Sequence, residues 1–359
     1  MKSVIDILDL TVEEIDGLIS TAKDILKRPK KYSKKCKGKI LATQFFEPST
    51  RTRLSFETAM LRLGGQVISM SSASSSSASK GESMADTSKV LSKYADIIAM
   101  RHFKEGAPLV ASENADIPVI NAGDGGHCHP TQTLADLLTI SRSRGSLNDF
   151  TIGFCGDLKF GRTVHSLINA LSRYKNVKVI LISPNELKLP SYVKQDVLDK
   201  FGMEYVETAD LESVIPQLDV LYMTRVQGER FEDKDEYLRL RDSYILTPEK
   251  LVNAKPDMAI LHPLPRVNEI SVQIDKDKRA QYFNQVENGK LMRMALILKL
   301  LNDAKNPVKE SLIKGELVVG EHKCKNPACI SKTEQELPHI FKKTESGEYR
   351  CVYCEAKAK

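Results

Sequence analysis

A chain of 359 residues and 40.1 kDa is longer than one ordinary hydrophobic core supports and implies two or three domains. Its 41% hydrophobic and 28% charged residues exclude wholesale disorder, and 53 basic against 47 acidic side chains leave a net charge of +6, spread too thinly to argue by itself for a nucleic-acid partner. No apolar run approaches the roughly 18 residues that span a bilayer. The opening MKSVIDILDLTVEE carries acids inside its apolar stretch and no cleavage-site pattern, so the expectation is a cytoplasmic protein with neither membrane nor nucleic acid as partner.

Short β-branched runs alternate with helical stretches up to about residue 303. The predicted strands are Lys39–Phe45, Gln66–Met70, Asp96–Met100, Val119–Ala122, Thr151–Cys155, Val177–Ile182, Val220–Thr224 and Met258–Leu261. Their near-continuous apolar character is that of parallel strands buried on both faces. Helical periodicity occupies Leu54–Leu63, which stops at Gly64-Gly65, then Thr163–Leu171 and Asn288–Asn302. The fold class is therefore α/β, with two doubly wound parallel-sheet domains meeting near Gly123–Thr133. The low-complexity stretch Ser69–Ser79 reads either as flexible linker or as an active-site loop.

In open α/β sheets ligands bind outside the carboxyl ends of the strands. The residues following six of the predicted strands are Glu47 to Arg53, Arg101-His102, Gly123 to Gln132, Gly156 to Arg162, Arg225 to Gln227 and His262 to Arg266, and five of the six segments carry an arginine. One edge lined with cations points to an anionic substrate. The sharpest segment is Ser49-Thr50-Arg51-Thr52-Arg53, where Pro48 breaks the strand and Ser49 takes an N-cap position. Alone it reads as a capped, solvated helix start. Beside the other cationic segments it reads as a phosphate cradle of helix N–H groups, hydroxyls and a guanidinium. His102, His127 and His165 read as ordinary loop histidines, whereas Pro130-Thr131 place His129 at a helix entrance beside Gln132. Glu47 reads as an orienting partner of Arg51 or Arg101, and Asp157 as a candidate helix cap. The glycines 153, 156 and 161 form GxxGxxxxG rather than a dinucleotide GxGxxG fingerprint.

Of seven cysteines, Cys36, Cys128 and Cys155 are scattered, while Cys324, Cys329, Cys351 and Cys354 crowd into the last 36 residues. Their C-x4-C and C-x2-C pairs, separated by 21 residues, have the spacing of a closed four-thiolate zinc site. Such a site is structural, one Zn2+ per chain, in a small C-terminal zinc-binding β domain with four cysteine ligands that depends on the metal to fold.

The Ser49–Arg53 stretch, His129-Pro130-Thr131-Gln132 and His262-Pro263-Leu264-Pro265-Arg266 resemble the signatures of the carbamoyltransferase family, and Met223-Thr224-Arg225-Val226-Gln227 resembles its aspartate-specific branch. Ornithine-specific members carry a Cys in the loops where this chain has His129-Pro-Thr-Gln and His262-Pro-Leu-Pro. The resemblance covers about residues 1–303. It implies transfer of the carbamoyl group of carbamoyl phosphate to the α-amino group of L-aspartate, in pyrimidine biosynthesis and without a cofactor for catalysis. By the same resemblance Ser49, Thr50, Arg51 and Thr52 hold the phosphate, and Thr52, Arg101 and His129 stabilise charge on the carbonyl oxygen. Gln132 and the backbone of Pro263 and Leu264 hold the carbamoyl NH2, and Arg162, Arg225 and Gln227 hold aspartate. Ser76 and Lys80 match loop residues inserted into a neighbouring subunit's site, which implies a homotrimer with shared active sites. The implied domains are 1–130 with 286–303 for carbamoyl phosphate, 131–285 for aspartate, and 304–359 for zinc. This last segment resembles the zinc domain of the separate regulatory chain of bacterial aspartate carbamoyltransferases, without that chain's nucleotide-binding domain.

Overall fold

The computed structural model describes residues 2–70, 80–228, 231, 233–306, 311–334, 336–344 and 347–358. The chain divides into two compact units, Met1–Thr131 with Lys290–Lys359, and Gln132–Gly289.

In the first unit, strands β1 (Ile40–Phe45), β2 (Gln66–Met70), β3 (Ile97–His102) and β4 (Val119–Asp124) form a parallel sheet of order β2-β1-β3-β4. β3 and β4 are buried along their whole length, as their unbroken apolar character requires, whereas β2 is an edge strand with a mostly exposed pattern. In the second unit, β5 (Phe150–Cys155), β6 (Val177–Ile182), β7 (Tyr205–Thr208), β8 (Val220–Met223) and β9 (Ala259–Leu261) are parallel in the order β7-β6-β5-β8-β9. All eight predicted α/β strands are present within a residue or two of their expected bounds. β7 escapes prediction because Tyr-Val-Glu-Thr at a sheet edge is half solvated and offers no apolar run.

In each sheet the order reverses once, between β1 and β3 in the first and between β5 and β8 in the second. Neighbouring helices leave such a point in opposite directions and open a crevice at the strand ends. The helices that follow β1 and β5 are Thr50–Arg62 and Arg162–Leu171. The predicted C-terminal helix is longer than its periodicity implies, running Tyr282–Asp303, because its first turns bury Tyr282 and Gln285.

The C-terminal segment forms an antiparallel sheet of β10 (Leu317–Val319), β11 (Ile340–Lys343) and β12 (Tyr349–Cys351). It is built into the first unit rather than tethered to it. Glu105 donates its N–H to Ala328 O (2.9 Å) and accepts from Ile330 N (3.0 Å), and its carboxylate takes Asn326 Nδ2 at 2.6 Å. Glu334 Oε1 accepts from Met84 N at 2.7 Å. One apolar cluster contains Phe46, Met100, Ala107 and Val110 together with Cys329, Ile330, Phe341 and Tyr353.

Gly106 sits at this junction with φ +85, and a Cβ there would lie 2.5 Å from Tyr353 O. Gly106→Ala should therefore lower the unfolding free energy by about 2 kcal/mol or more, from left-handed strain plus displacement of Tyr353. Gly17→Ala, in the open face of the helix Val12–Lys27, should raise it by about 0.5–1 kcal/mol. Denaturant unfolding of the two variants checks both signs.

Candidate active site

Each reversal point collects the residues expected there. At the first, β1 gives way to Glu47, Pro48 and Ser49, and the helix Thr50–Arg62 begins with no acid in its first turn. Ser49 occupies the N-cap position but its hydroxyl makes no capping hydrogen bond, which departs from the expectation of a conventional cap. The positive end of this helix is thus left without an anionic or side-chain cap of its own. Thr52 is buried and Arg51 exposed, with partial desolvation pulling the Arg51 guanidinium below its usual pKa.

Arg101, at the end of β3, is buried and held on two sides: Nη2 lies 2.8 Å from Glu47 Oε2, and Nη1 donates to Ala122 O at 3.1 Å. Of the two partners considered for Glu47, Arg101 is the one realised. His129 is also buried. A Cβ on Gly123 (φ +119) would meet Arg101 Nη1 at 2.5 Å and His129 Cδ2 at 3.6 Å, so the bare glycine lets the two side chains share one spot.

The loop before His129 is clamped by Asp124. Oδ1 accepts from Cys128 N (2.9 Å) and Asn121 Nδ2 (3.0 Å), and Oδ2 accepts from Gly106 N (2.9 Å) and faces His127 Nδ1 at 3.0 Å. Asp124, His127 and Cys128 bring ligand-type atoms within 4.8 Å of one another, but with both carboxylate oxygens occupied by N–H donors the cluster works as a loop clamp. Arg293 adds a brace that sequence reading missed, donating to Ser55 Oγ (3.0 Å) and Thr131 Oγ1 (3.1 Å) over the ring of Phe56. Its signal was a lone cation inside the apolar run LMRMAL.

At the second reversal point Asp157 is buried and joins the segments after β5 and β8. Its Oδ1 accepts from Phe160 N (2.9 Å), its Oδ2 from Gln227 N (3.3 Å), and its own N–H donates to Thr224 Oγ1 (2.9 Å). Burial pushes its carboxyl pKa up. Asp157 thus ties together the segments that carry Arg162 and Arg225, and the N-cap of the helix after β5 is Gly161 instead. Gln227 is further fixed by Nε2 donating to Phe160 O at 3.0 Å. The GxxGxxxxG glycines are packing positions: Cβ atoms would strike Leu218 at 2.7 Å from Gly153, the Thr224 carbonyl from Gly156, and the Asp157 carbonyl at 2.5 Å from Gly161.

The segment after β9 corrects the simple picture of a cation-lined edge. Arg266 is ion-paired with Asp275 and stacks on Tyr282, and buried His262 gives Nε2 to Glu269 Oε1 at 2.7 Å. His262 Nδ1 accepts from Leu264 N at 2.8 Å, so these side chains shape the Pro263-Leu264 turn. His165 is likewise structural, bonded to Leu158 O at 2.7 Å. Lys80 is exposed, and Ser76 lies outside the described residues.

The four C-terminal cysteines are buried, with all Sγ atoms within 4.8 Å of one another. The Cys324–Cys354 and Cys329–Cys351 sulfurs stand 3.6 and 3.9 Å apart. A tetrahedron with zinc–sulfur bonds of about 2.3 Å has edges of about 3.8 Å, so the set fits a four-thiolate metal and not a pair of disulfides.

His102 is the titrating group with the clearest consequence. Burial lowers its pKa to about 4, and Nδ1 accepts from Lys104 N at 2.9 Å. The unfolded chain binds a proton near pH 6.5 that the folded chain refuses until about pH 4, so stability falls as pH drops through that window. The loss should approach about 3 kcal/mol, and His102→Asn, which keeps an acceptor for Lys104 N, should flatten the stability–pH curve between pH 6.5 and 4. An unchanged slope would contradict this.

Residues 2–142 match the family described as "Aspartate/ornithine carbamoyltransferase, carbamoyl-P binding domain", and residues 148–300 match its "Asp/Orn binding domain". Residues 316–359 match "Aspartate carbamoyltransferase regulatory chain, metal binding domain". The "Aspartate carbamoyltransferase catalytic subunit" of Lachnoclostridium phytofermentans is 62% identical over 302 residues, covering 84% of this chain and 98% of that protein. Its namesake in Clostridium acetobutylicum is 63% identical over 300 residues, with 84% and 98% covered. Among solved structures, the catalytic subunit of M. jannaschii aspartate transcarbamoylase superposes with a TM-score of 0.80 at 48% identity, covering 85% of this chain and all of that one. The Trypanosoma cruzi enzyme, solved with carbamoyl phosphate and aspartate, gives 0.78 at 37% identity, with 83% and 96% covered.

Proposed function

The chain belongs to the aspartate/ornithine carbamoyltransferase family, and from that premise we propose how its residues divide the work of making N-carbamoyl-L-aspartate and phosphate from carbamoyl phosphate and L-aspartate. The observation that supports the reading is that the strand-end segments of each sheet carry groups chemically suited to anions: Ser49–Thr52 with Arg101 and His129 in one unit, Arg162 with Arg225 and Gln227 in the other.

Ser49, Thr50, Arg51 and Thr52, with the helix N-terminus behind them, bind the phosphate group, and Lys80 adds charge. The aspartate nitrogen attacks the carbonyl carbon, the new C–N bond forms, the C–O bond to phosphate breaks, and the departing phosphate takes the amine proton. Negative charge grows on the carbonyl oxygen during attack, where Thr52, Arg101 and His129 stabilise it. Glu47 and Ala122 O preset the Arg101 guanidinium, so little reorganisation is left for the reaction step. Gln132 and the Pro263-Leu264 turn hold the carbamoyl NH2. Arg162, Arg225 and Gln227 hold the two carboxylates of aspartate, for which guanidinium forks suit better than lysines. No cofactor enters these steps, and the reaction is one of pyrimidine biosynthesis. Among the described residues no helix is long and apolar enough to cross a membrane.

Arg51→Ala should raise KM for carbamoyl phosphate about 100-fold and Arg225→Ala should raise KM for L-aspartate by a similar factor, each leaving the other substrate's KM within a few-fold. Steady-state kinetics with L-aspartate, and with L-ornithine as a control giving no product, checks this. Identical defects in both variants would refute the division of roles.

Cys324, Cys329, Cys351 and Cys354 would hold a zinc ion, which would tie the segment carrying β10–β12 together within the shared core. Leu54 and Leu61, on the helix Thr50–Arg62, and Ile68, on the β2 edge, are 51%, 60% and 38% exposed, apolar side chains that suit a homotrimer contact through which Ser76 and Lys80 reach a neighbour's site. Sedimentation combined with metal analysis should give a trimer with one zinc per chain; a monomer, or a folded trimer free of zinc, would overturn this assembly.

A further inference from the structure

We infer that Asp136 is a positioning residue for carbamoyl transfer, fixing the Gln132 carboxamide so that it presents an acceptor to the substrate. The inference rests on the reading that Gln132 and the Pro263-Leu264 turn hold the carbamoyl NH2.

Asp136 lies one helical turn beyond Gln132 in the helix Pro130–Arg144 and is fully buried. Its carboxylate is the meeting point of three donors: Oδ1 accepts from Gln132 Nε2 (2.8 Å) and Gln285 Nε2 (2.5 Å), and Oδ2 accepts from Tyr222 OH (3.0 Å). An ionised carboxylate accepts and cannot donate. Gln132 must therefore direct its NH2 to Asp136, which turns its Oε1 outward as an acceptor. An acceptor is what a carbamoyl NH2 requires, and the carbonyl groups of the Pro263-Leu264 turn are acceptors too.

The same carboxylate controls that turn through a second carboxamide. Gln285 gives its NH2 to Asp136, so its Oε1 is left to accept from His262 N, which it does at 3.0 Å. His262 in turn accepts from Leu264 N at 2.8 Å and donates to Glu269 at 2.7 Å. Tyr222, at 0% exposure on β8, anchors the carboxylate to the sheet, and burial and the nearby charge push its phenol well above the usual pKa, so it stays a donor. One anion thereby sets the polarity of two amides on separate segments of the second unit.

Asp136→Asn is the discriminating variant, because its new NH2 competes with the Gln132 NH2 and permits the flipped amide while keeping the shape. It should lower kcat/KM for carbamoyl phosphate about 10- to 100-fold while leaving competitive inhibition by inorganic phosphate within about twofold, since phosphate has no NH2 to be recognised. A merely structural role would weaken both ligands together and overturn the inference. So would an unchanged kcat/KM in a background where Gln132→Ala is impaired. An unimpaired Gln132→Ala would instead refute the underlying assignment of Gln132. The Asp136→Asn/Gln132→Ala double variant should be no worse than Gln132→Ala with Gln285 intact by more than about threefold, the share carried through the Pro263-Leu264 turn. Should Asp136→Asn not fold, Gln285→Met removes one leg of the network and should show the same selective loss for carbamoyl phosphate; equal loss for phosphate would overturn the inference.

Discussion

Parallel strand pairing at β1–β3 and β5–β8 is the constraint on which the rest of this molecule depends. A parallel sheet needs crossover helices, and where the crossovers change direction the strand ends are left uncovered. At the reversals, the segments after β1, β5 and β8 carry Arg51, Arg162 and Arg225, and β3 ends in Arg101-His102. The groups proposed to bind substrate are thus carried on short segments whose bases are locked in ladders, which would limit the entropy lost when a ligand is held.

Acids do the second part of the work, three of them buried and Glu47 partly so, and the same device recurs. Glu47 holds Arg101, Asp124 closes the loop before His129, Asp157 joins the segments of Arg162 and Arg225, and Asp136 orients Gln132. A carboxylate suits this role because it accepts several N–H donors at once and cannot swap roles with them. Each would be costly to bury alone, and each is stabilised by the backbone or side-chain donors it organises.

The zinc segment is supported in the same way. Its cysteines lie in one apolar cluster with residues of β1, β3 and the helix Ala107–Asn114, and its backbone pairs with Glu105. Glu105 also receives Gly126 N at 3.2 Å, in the loop that leads to His129. A segment that is too small to make a core of its own is stabilised by thiolate ligation on one side and by a large neighbour on the other.

The α/β class, eight of the nine strands in the two parallel sheets and the clustering of the four C-terminal cysteines were determined by the sequence alone, because apolar runs and cysteine spacing are local properties of the chain. The family signatures in Ser49–Arg53, His129–Gln132 and Met223–Gln227 are local as well. What only the tertiary structure decided is which polar residues hold other residues. His262 and Arg266 read like site cations, yet Glu269 and Asp275 take them up. Asp136 and Arg293 carry no motif, yet they connect residues 149 and 162 positions apart. Hydrogen-bond partners of buried groups are chosen by proximity in space, and a linear pattern does not encode that proximity.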